Sequence, residues 1–342
     1  MQLSKPAPIE SEPLKFVDLG MPEPGEGQVR VKVSVCGVCH TDLHTVEGDL
    51  KLPKLPIVPG HEIVGRIDKV GDGVSEERVG ERVGVPWLYE TCGECSFCRE
   101  GRENLCPDAR FTGYHVDGGY AEYMVVPEDS AYPLPKGIAD AQAAPLMCGG
   151  VIGYRALVLS KAKPGQILGL YGFGNSAHVT IQVARYLGIR VFVFSRTPAN
   201  RKLAERLGAE WTGTAEEKPP ELIHSGIIFA PAGPLVPMAL RHLRSGGTIA
   251  LAGITMTPIP GFPYELIYWE RALRSVANST HEDVRQLLDY AGKIPIKTEV
   301  TEFGLEDANK VLKLMKESKI QGGAVLKCSF SPADKRSQEK ER

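Results

Sequence analysis

QILGLYGFGNSAHVTIQVARYLG, residues 166–188, contains a strand, a turn and a helix in one stretch. QILGLY (166–171) is a continuous apolar run of strand length, and AHVTIQVARYLG sets its apolar residues at helical spacing. Between them lies Gly172-Phe173-Gly174-Asn175-Ser176-Ala177, a G-x-G-x-x-A turn. In that context the turn is the dinucleotide-binding fingerprint. Gly172 allows the tight bend, Gly174 lets the backbone approach a pyrophosphate, and Ala177 lets the helix pack close to the strand. The amides of Phe173, Gly174 and Asn175 then face an anion at the helix N-terminus.

The same rhythm continues downstream. RVFVF (190–194), GIIFA (226–230) and GTIALAG (247–253) read as strands, with PANRKLAERLG and PLVPMALRHL as helices between them. Such alternation predicts an α/β, Rossmann-type doubly wound parallel sheet. The strand 190–194 runs into Ser195-Arg196, about where an acidic residue would hold the adenosine ribose of NAD. No acid is present. Ser195 can donate to a 2′-phosphate and Arg196 can pair with it through a planar fork, with Arg201 a weaker partner nearby. NADP is therefore the expected cofactor and NAD the alternative.

Upstream the texture differs. QVRVKVSV (28–35) alternates with period two, and short Val-rich runs broken by Gly and Pro follow, as in VPGHEIVGRIDKVGDGV and ERVGVPWL. These predict a compact β-rich domain. A chain of 342 residues has room for two cores. The expected division is a β-rich domain over 1–150, a dinucleotide-binding domain over 151–279, and a return to the first domain over 280–342. That last part holds the helical patterns EDVRQLLDYAG and LEDANKVLKLMKES, the strand GGAVLK and a charged tail, ADKRSQEKER.

Hydrophobic residues make up 42% of the chain, charged residues 24%, and the formal net charge is -2. Without a basic cluster, nucleic-acid binding has little electrostatic support. No signal-peptide pattern and no bilayer-length apolar run occur, so no membrane role and a cytoplasmic location are expected. In a reducing compartment the eight cysteines need a reason other than disulfides. Cys92, Cys95, Cys98 and Cys106, in a lobe over 91–107, put four thiolates within reach of one ion. Zinc accepts such a set tetrahedrally in closed structural sites. Pro107 after Cys106 keeps an iron–sulfur cluster as the alternative.

A second set is scattered. Cys36-Gly-Val-Cys39-His40-Thr41-Asp42-Leu43-His44 gathers thiol, imidazole, hydroxyl and carboxylate groups, His61-Glu62 follows, and Cys148 stands just before the βα region. One cysteine of the first segment with His61 and Cys148 would form a three-ligand site open to water or substrate, as catalytic zinc requires. Each residue also has a plainer reading. Cys36 follows a strand and suits a small core position, Thr41 or Asp42 suits a helix cap, and His61 or Cys148 suits the core.

CGVCHTDLH, GHE, the four-cysteine lobe and the Gly-rich turn, in this order and spacing, resemble the zinc-containing medium-chain alcohol dehydrogenases over nearly the whole chain. The resemblance implies a GroES-like catalytic domain with a structural zinc lobe and two zinc ions per subunit. By that pattern Cys39, not Cys36, joins His61 and Cys148 on the catalytic zinc, and Glu62 is the carboxylate behind it. Asp42 resembles the acid that orients the ligating histidine and fixes its tautomer. Thr41 and His44 resemble a proton relay, His40 a contact to the cofactor pyrophosphate, and Trp87 an aromatic wall of the substrate pocket. The implied reaction moves a hydride between the nicotinamide cofactor and a primary alcohol or aldehyde, in a homodimer or homotetramer. A polyol or sugar dehydrogenase on the same scaffold, or a non-catalytic zinc- and dinucleotide-binding protein, are the competing readings. One departure stands out: Gln321–Leu326 lacks the arginine that many members use on the pyrophosphate, and Arg274 is a candidate in its place.

Overall fold

The computed structural model describes residues 1–320 and 322–328. The charged tail expected over 333–342 lies outside the described residues, as does Gln321. The chain forms two compact units, Met1–Cys148 with Thr298–Arg342, and Gly149–Lys297.

The first unit is built on β1 (Gln28–Val38), β2 (Glu62–Val70), β3 (Arg82–Val85), β4 (Tyr123–Pro127) and β5 (Tyr132–Pro133). β1 pairs antiparallel with β2 and with β4, β2 with β3, and β3 with β5. Val29, Val31 and Val33 are fully buried, as the period-two pattern requires. A register shift against β2 between Val33 and Val35 breaks the alternation, and Cys36 is buried as well. β1 ends at Val38 and helix α1 (His40–Glu47) starts two residues later with Cys39 as its N-cap.

In the second unit six parallel strands form one sheet: β6 (Ile167–Tyr171), β7 (Arg190–Phe194), β8 (Trp211–Gly213), β9 (Ile223–Ile228), β10 (Leu243–Leu251) and β11 (Ala272–Ser275). Their order is β8-β7-β6-β9-β10-β11. The chain reverses direction across the sheet between β6 and β9, the switch point where doubly wound folds bind ligands. β6 is buried along its whole length, which explains its unbroken apolar run. The three-residue β8 and the edge strand β11 carry no pattern long enough to be read from sequence.

The return to the first unit begins at Thr298 rather than at 280. Helix α2 (Gly149–Ser160) and the later helix α3 (His281–Lys293) explain the difference. α3 buries Val284, Leu287, Leu288 and Ala291, and Arg155 of α2 pairs with Asp283 at 3.3 Å. The Gln182 side chain also brackets the backbone of Lys297, at 2.9 Å in each direction. Periodicity gave α3 an apolar stripe but not the partner that covers it. Beyond Thr298, β12 (Val300–Gly304) and β13 (Gly323–Lys327) pair in parallel, and β13 lies antiparallel to β1 with Leu326 opposite Cys36. No single helix among the described residues is long and apolar enough to cross a membrane.

Candidate active site

Cys39, His61, Glu62 and Cys148 bring their ligand atoms within 4.8 Å of one another. Cys39 caps α1, His61 and Glu62 lie where β2 begins, and Cys148 follows the turn Ala144–Met147. Cys39 Sγ is 3.8 Å from Cys148 Sγ, and His61 Nε2 is 3.3 Å from Cys148 Sγ. His61 Nδ1 meets Asp42 Oδ1 at 2.8 Å, which leaves Nε2 for the cluster. Asp42 and His61 are both almost wholly buried. The space for Glu62 depends on a glycine: a Cβ on Gly37, opposite it in the ladder, would lie 2.0 Å from Glu62 Oε2.

The four groups shift one another's protonation strongly. The hydrogen bond from Cys148 outweighs burial and holds the Cys39 thiol well below its ordinary range, while that bond and burial push Cys148 up. Burial opposes charging His61, but Asp42 and Cys39 together raise its pKa above the usual imidazole range. Burial, then the Cys39 charge, pushes the Glu62 carboxyl well up. Were both sulfurs ionised, thiolates 3.8 Å apart would repel, and a divalent ion between them would remove the conflict. Two sulfurs, one free imidazole nitrogen and a carboxylate are a donor set that suits zinc.

The second cluster is local. Strand pairing of Leu88 with Phe111 and Glu90 with Arg110 closes the base of the lobe. Above it, Cys95–Cys98, Cys106–Cys92 and Cys92–Cys98 sulfurs stand 3.5, 3.5 and 3.9 Å apart. Zinc–sulfur bonds of about 2.3 Å in a tetrahedron put the sulfurs roughly 3.8 Å apart, so the cage fits one such ion. A multi-iron cluster with bridging sulfides needs a wider cage. Backbone amides of Cys95 and Glu94 lower the Cys92 thiol to about 7, whereas burial pushes Cys98 up to about 11.

The other expected residues fall as follows. Thr41 is buried, its Oγ1 3.8 Å from Cys39 Sγ, and His40 is exposed at the start of α1. His44 Nδ1 is 2.7 Å from Asp49 Oδ2. The Trp87 ring lies 6.0 Å from that of His61 and stacks on Phe111 at 4.5 Å. In the second unit Gly172 follows β6 at φ +89°, and a Cβ there would press on the Ala230 backbone nitrogen at 3.0 Å. A Cβ on Gly174 would meet no protein atom within 4 Å, so the turn is open at that position, and Phe173 and Ala177 are buried. Asn175 opens the 12-residue helix Asn175–Tyr186. Ser195 is buried at the end of β7 and Arg196 is exposed. Arg201 is already engaged, its Nη1 donating to the carbonyls of Ser195 (2.7 Å) and Arg196 (3.2 Å). Arg274 lies on the edge strand β11.

Four contributors escaped the sequence reading: Gly37, Asp49, Phe111 and Tyr120. The last donates from its hydroxyl to Asp42 Oδ2 at 3.1 Å. Phe111 and Tyr120 lie far along the chain from the groups they touch, and neither carries a motif. Gly37 stands inside the CGVCH run, where its lack of a side chain was open to reading.

A switch-point sheet with a Gly-rich turn, joined in one chain to a β-rich unit with two clusters of metal-ligand type, defines a metal-dependent dehydrogenase. Comparison with known proteins agrees. Residues 25–136 match the alcohol dehydrogenase GroES-like domain and residues 177–293 the zinc-binding dehydrogenase family. A protein named probable alcohol dehydrogenase AdhA from Mycobacterium tuberculosis is 44% identical, over 95% of this chain and 96% of its own length. A cinnamyl alcohol dehydrogenase structure from Sorghum bicolor superposes with a TM-score of 0.87 at 27% identity, covering 96% of this chain and 98% of that one. The structure of a Helicobacter pylori protein called CAD, complexed with NADP(H), gives 0.80 at 25% identity, covering 90% and 92%. The chain belongs to the zinc-containing medium-chain alcohol dehydrogenase family and is an oxidoreductase of the zinc-type alcohol dehydrogenase kind.

Proposed function

We propose that the chain transfers a hydride between a primary alcohol or aldehyde and NADP(H), with NAD(H) the less favoured cofactor. One zinc ion is held by Cys39, His61 and Cys148, and a second by Cys92, Cys95, Cys98 and Cys106. The observation that carries this reading is the buried line from Asp42 through His61 to Cys148, with contacts of 2.8 and 3.3 Å, which ends beside Cys39. Zinc bound there supplies Lewis acidity toward an alcohol or carbonyl oxygen, and the nicotinamide cofactor supplies the hydride carrier.

The protein's residues position and exclude. Asp42 holds His61 in the tautomer with its lone pair on Nε2. Glu62, biased toward its neutral form by burial, waits behind the three ligands. The Thr41 hydroxyl would accept the proton of the substrate hydroxyl as it gives up its own toward His44, one helical turn on, which would pass a proton outward from the ring whose Nδ1 Asp49 holds. Trp87 and Phe111 form an apolar wall that keeps water from the reacting groups.

On the cofactor side the Gly172–Asn175 turn receives the pyrophosphate, with His40 as a further contact. Ser195 and the exposed Arg196 take the 2′-phosphate, while Arg201 braces their loop. All eight cysteines are free thiols, which suits the cytoplasm, and a homodimer or homotetramer is the expected assembly. The test is NADPH oxidation with short, long and aromatic aldehydes by the wild type and His61→Ala. Turnover should vanish in the variant, and a fully active His61→Ala enzyme would overturn the reading.

A further inference from the structure

The Asp42 carboxylate is where three chain segments meet. Its Oδ1 faces His61 Nδ1 at 2.8 Å, and its Oδ2 accepts from the backbone amide of Cys39 at 2.9 Å and from the Tyr120 hydroxyl at 3.1 Å. Two of these partners belong to residues of the metal-ligand cluster. Tyr120 does not.

Tyr120 is fully buried and held from several sides. Its amide donates to Pro59 O at 3.0 Å, and its carbonyl accepts from the Met1 amino nitrogen at 2.6 Å. The two residues before it are tied in the same way: Gly118 donates to Val58 O at 2.7 Å and Gly119 to Gly60 O at 3.0 Å. Segment 118–120 therefore runs stapled along 58–60, which leads directly into His61. The ring packs so closely on Gly60 that a Cβ there would lie 2.4 Å from Tyr120 Cδ1, and Gly60 itself has a φ of +98°. A phenylalanine would keep every one of these backbone and packing contacts. Only the hydroxyl would be lost, and Asp42 is the group it meets. Without it, Oδ2 keeps a single donor, so the carboxylate plane, and with it the hold on His61, is less well fixed.

We propose that Tyr120 is a positioning residue: its hydroxyl locks the Asp42 carboxylate and, through Asp42, sets how tightly the Cys39–His61–Cys148 cluster keeps its ion. This rests on reading that cluster as a metal centre.

The test loads zinc into the wild type, Tyr120→Phe, Asp42→Asn and the double variant, then follows zinc release into excess chelator alongside thermal unfolding. Tyr89→Phe serves as the control, since Tyr89 is a buried tyrosine of the same unit whose hydroxyl meets Gln28 Nε2 at 3.3 Å. Asp42→Asn should weaken retention roughly 10- to 100-fold, and Tyr120→Phe, one bond further out, about 3- to 10-fold. Adding Tyr120→Phe to Asp42→Asn should change nothing more, because the hydroxyl acts through Asp42. Release from the four-cysteine lobe should be alike in all five proteins, and Tyr89→Phe should match the wild type. Cobalt-substituted Tyr120→Phe should show shifted visible bands for the His61-containing centre, which a purely structural role would leave alone. Wild-type release and an unshifted spectrum in Tyr120→Phe, or effects that multiply in the double variant, would overturn the proposal alone. A wild type that binds one zinc, in the four-cysteine lobe only, would overturn the metal-centre reading and the proposal with it.

Discussion

The two cysteine clusters of the first unit are assembled in opposite ways. In the lobe, four sulfurs from fifteen consecutive residues enclose one small cage, and nearby backbone amides stabilise the Cys92 thiolate. At Cys39, His61, Glu62 and Cys148, the ligands come from three distant segments, and side chains set the charge: Asp42 on His61, Cys148 on Cys39. The lobe brings four sulfur donors together, a set that would close around a single ion. The other cluster pairs two sulfurs and an imidazole nitrogen with a buried carboxylate, a mixed set of the kind that leaves a catalytic zinc an exchangeable position. A closed site contributes to folding, and an open one contributes to chemistry.

This contrast can be broken by mutation. The largest effect should come from the open site: Cys39→Ser should lower kcat by several orders of magnitude while the midpoint of thermal unfolding moves little, as read by steady-state assay and calorimetry. Equal losses of stability at Cys39 and Cys98 would erase the distinction. Cys98→Ser should do the reverse, lowering the unfolding midpoint by roughly 10 °C or more, since a closed zinc site adds directly to folding. Normal thermal stability with one zinc missing would contradict that.

Gly37→Ala sharpens the comparison from the steric side. A new Cβ overlapping Glu62 Oε2 should displace the carboxylate at a cost of about 1–3 kcal/mol, with activity reduced more than zinc retention. In the second unit, Arg196→Ala should raise KM for NADPH by about 10-fold with little change for NADH, as expected for loss of a charge-assisted pair. An unchanged cofactor preference would remove Arg196 from phosphate recognition.

The smallest effect concerns pH. Burial, then the neighbouring Arg241, lowers the pKa of His242, whose Nδ1 lies 3.0 Å from the Tyr171 hydroxyl. Below the ordinary histidine pKa of about 6.5 the unfolded chain binds this proton more readily than the folded one, so stability falls with falling pH. His242→Gln should flatten that part of the stability–pH curve relative to the wild type, as measured by denaturant titration. Parallel curves would show that His242 does not contribute.

How much of this was legible in the sequence depended on the distance between interacting residues. The lobe's four cysteines were readable as a cluster because they are neighbours in the chain, and the structure brings their sulfurs together. The Gly172–Ala177 turn was readable because strand, turn and helix are consecutive. Residues 39, 61 and 148 were individually ambiguous, since a core cysteine and a metal ligand look alike until three segments converge; only the resemblance chose Cys39 over Cys36. The structure groups Cys39, and not Cys36, with His61, Glu62 and Cys148. Cys36, next to a register shift in β1, is buried between Ile63 of β2 and Leu326 of β13, whereas Cys39 lies past the strand end at the cap of α1. Helix His281–Lys293 was visible as a helix but placed with the wrong unit, because an amphipathic stripe does not name its partner. Tyr120 was invisible for the same reason: its importance lies in one hydroxyl contact made 78 residues away.

The most direct measurement is zinc content per chain in the wild type and in His61→Ala, with NADPH-dependent aldehyde reduction followed on the same samples. Two equivalents in the wild type, one in the variant, no turnover in the variant and a nearly unchanged unfolding midpoint are expected. A single equivalent confined to the four-cysteine lobe in a wild type that still reduces aldehydes would contradict the account.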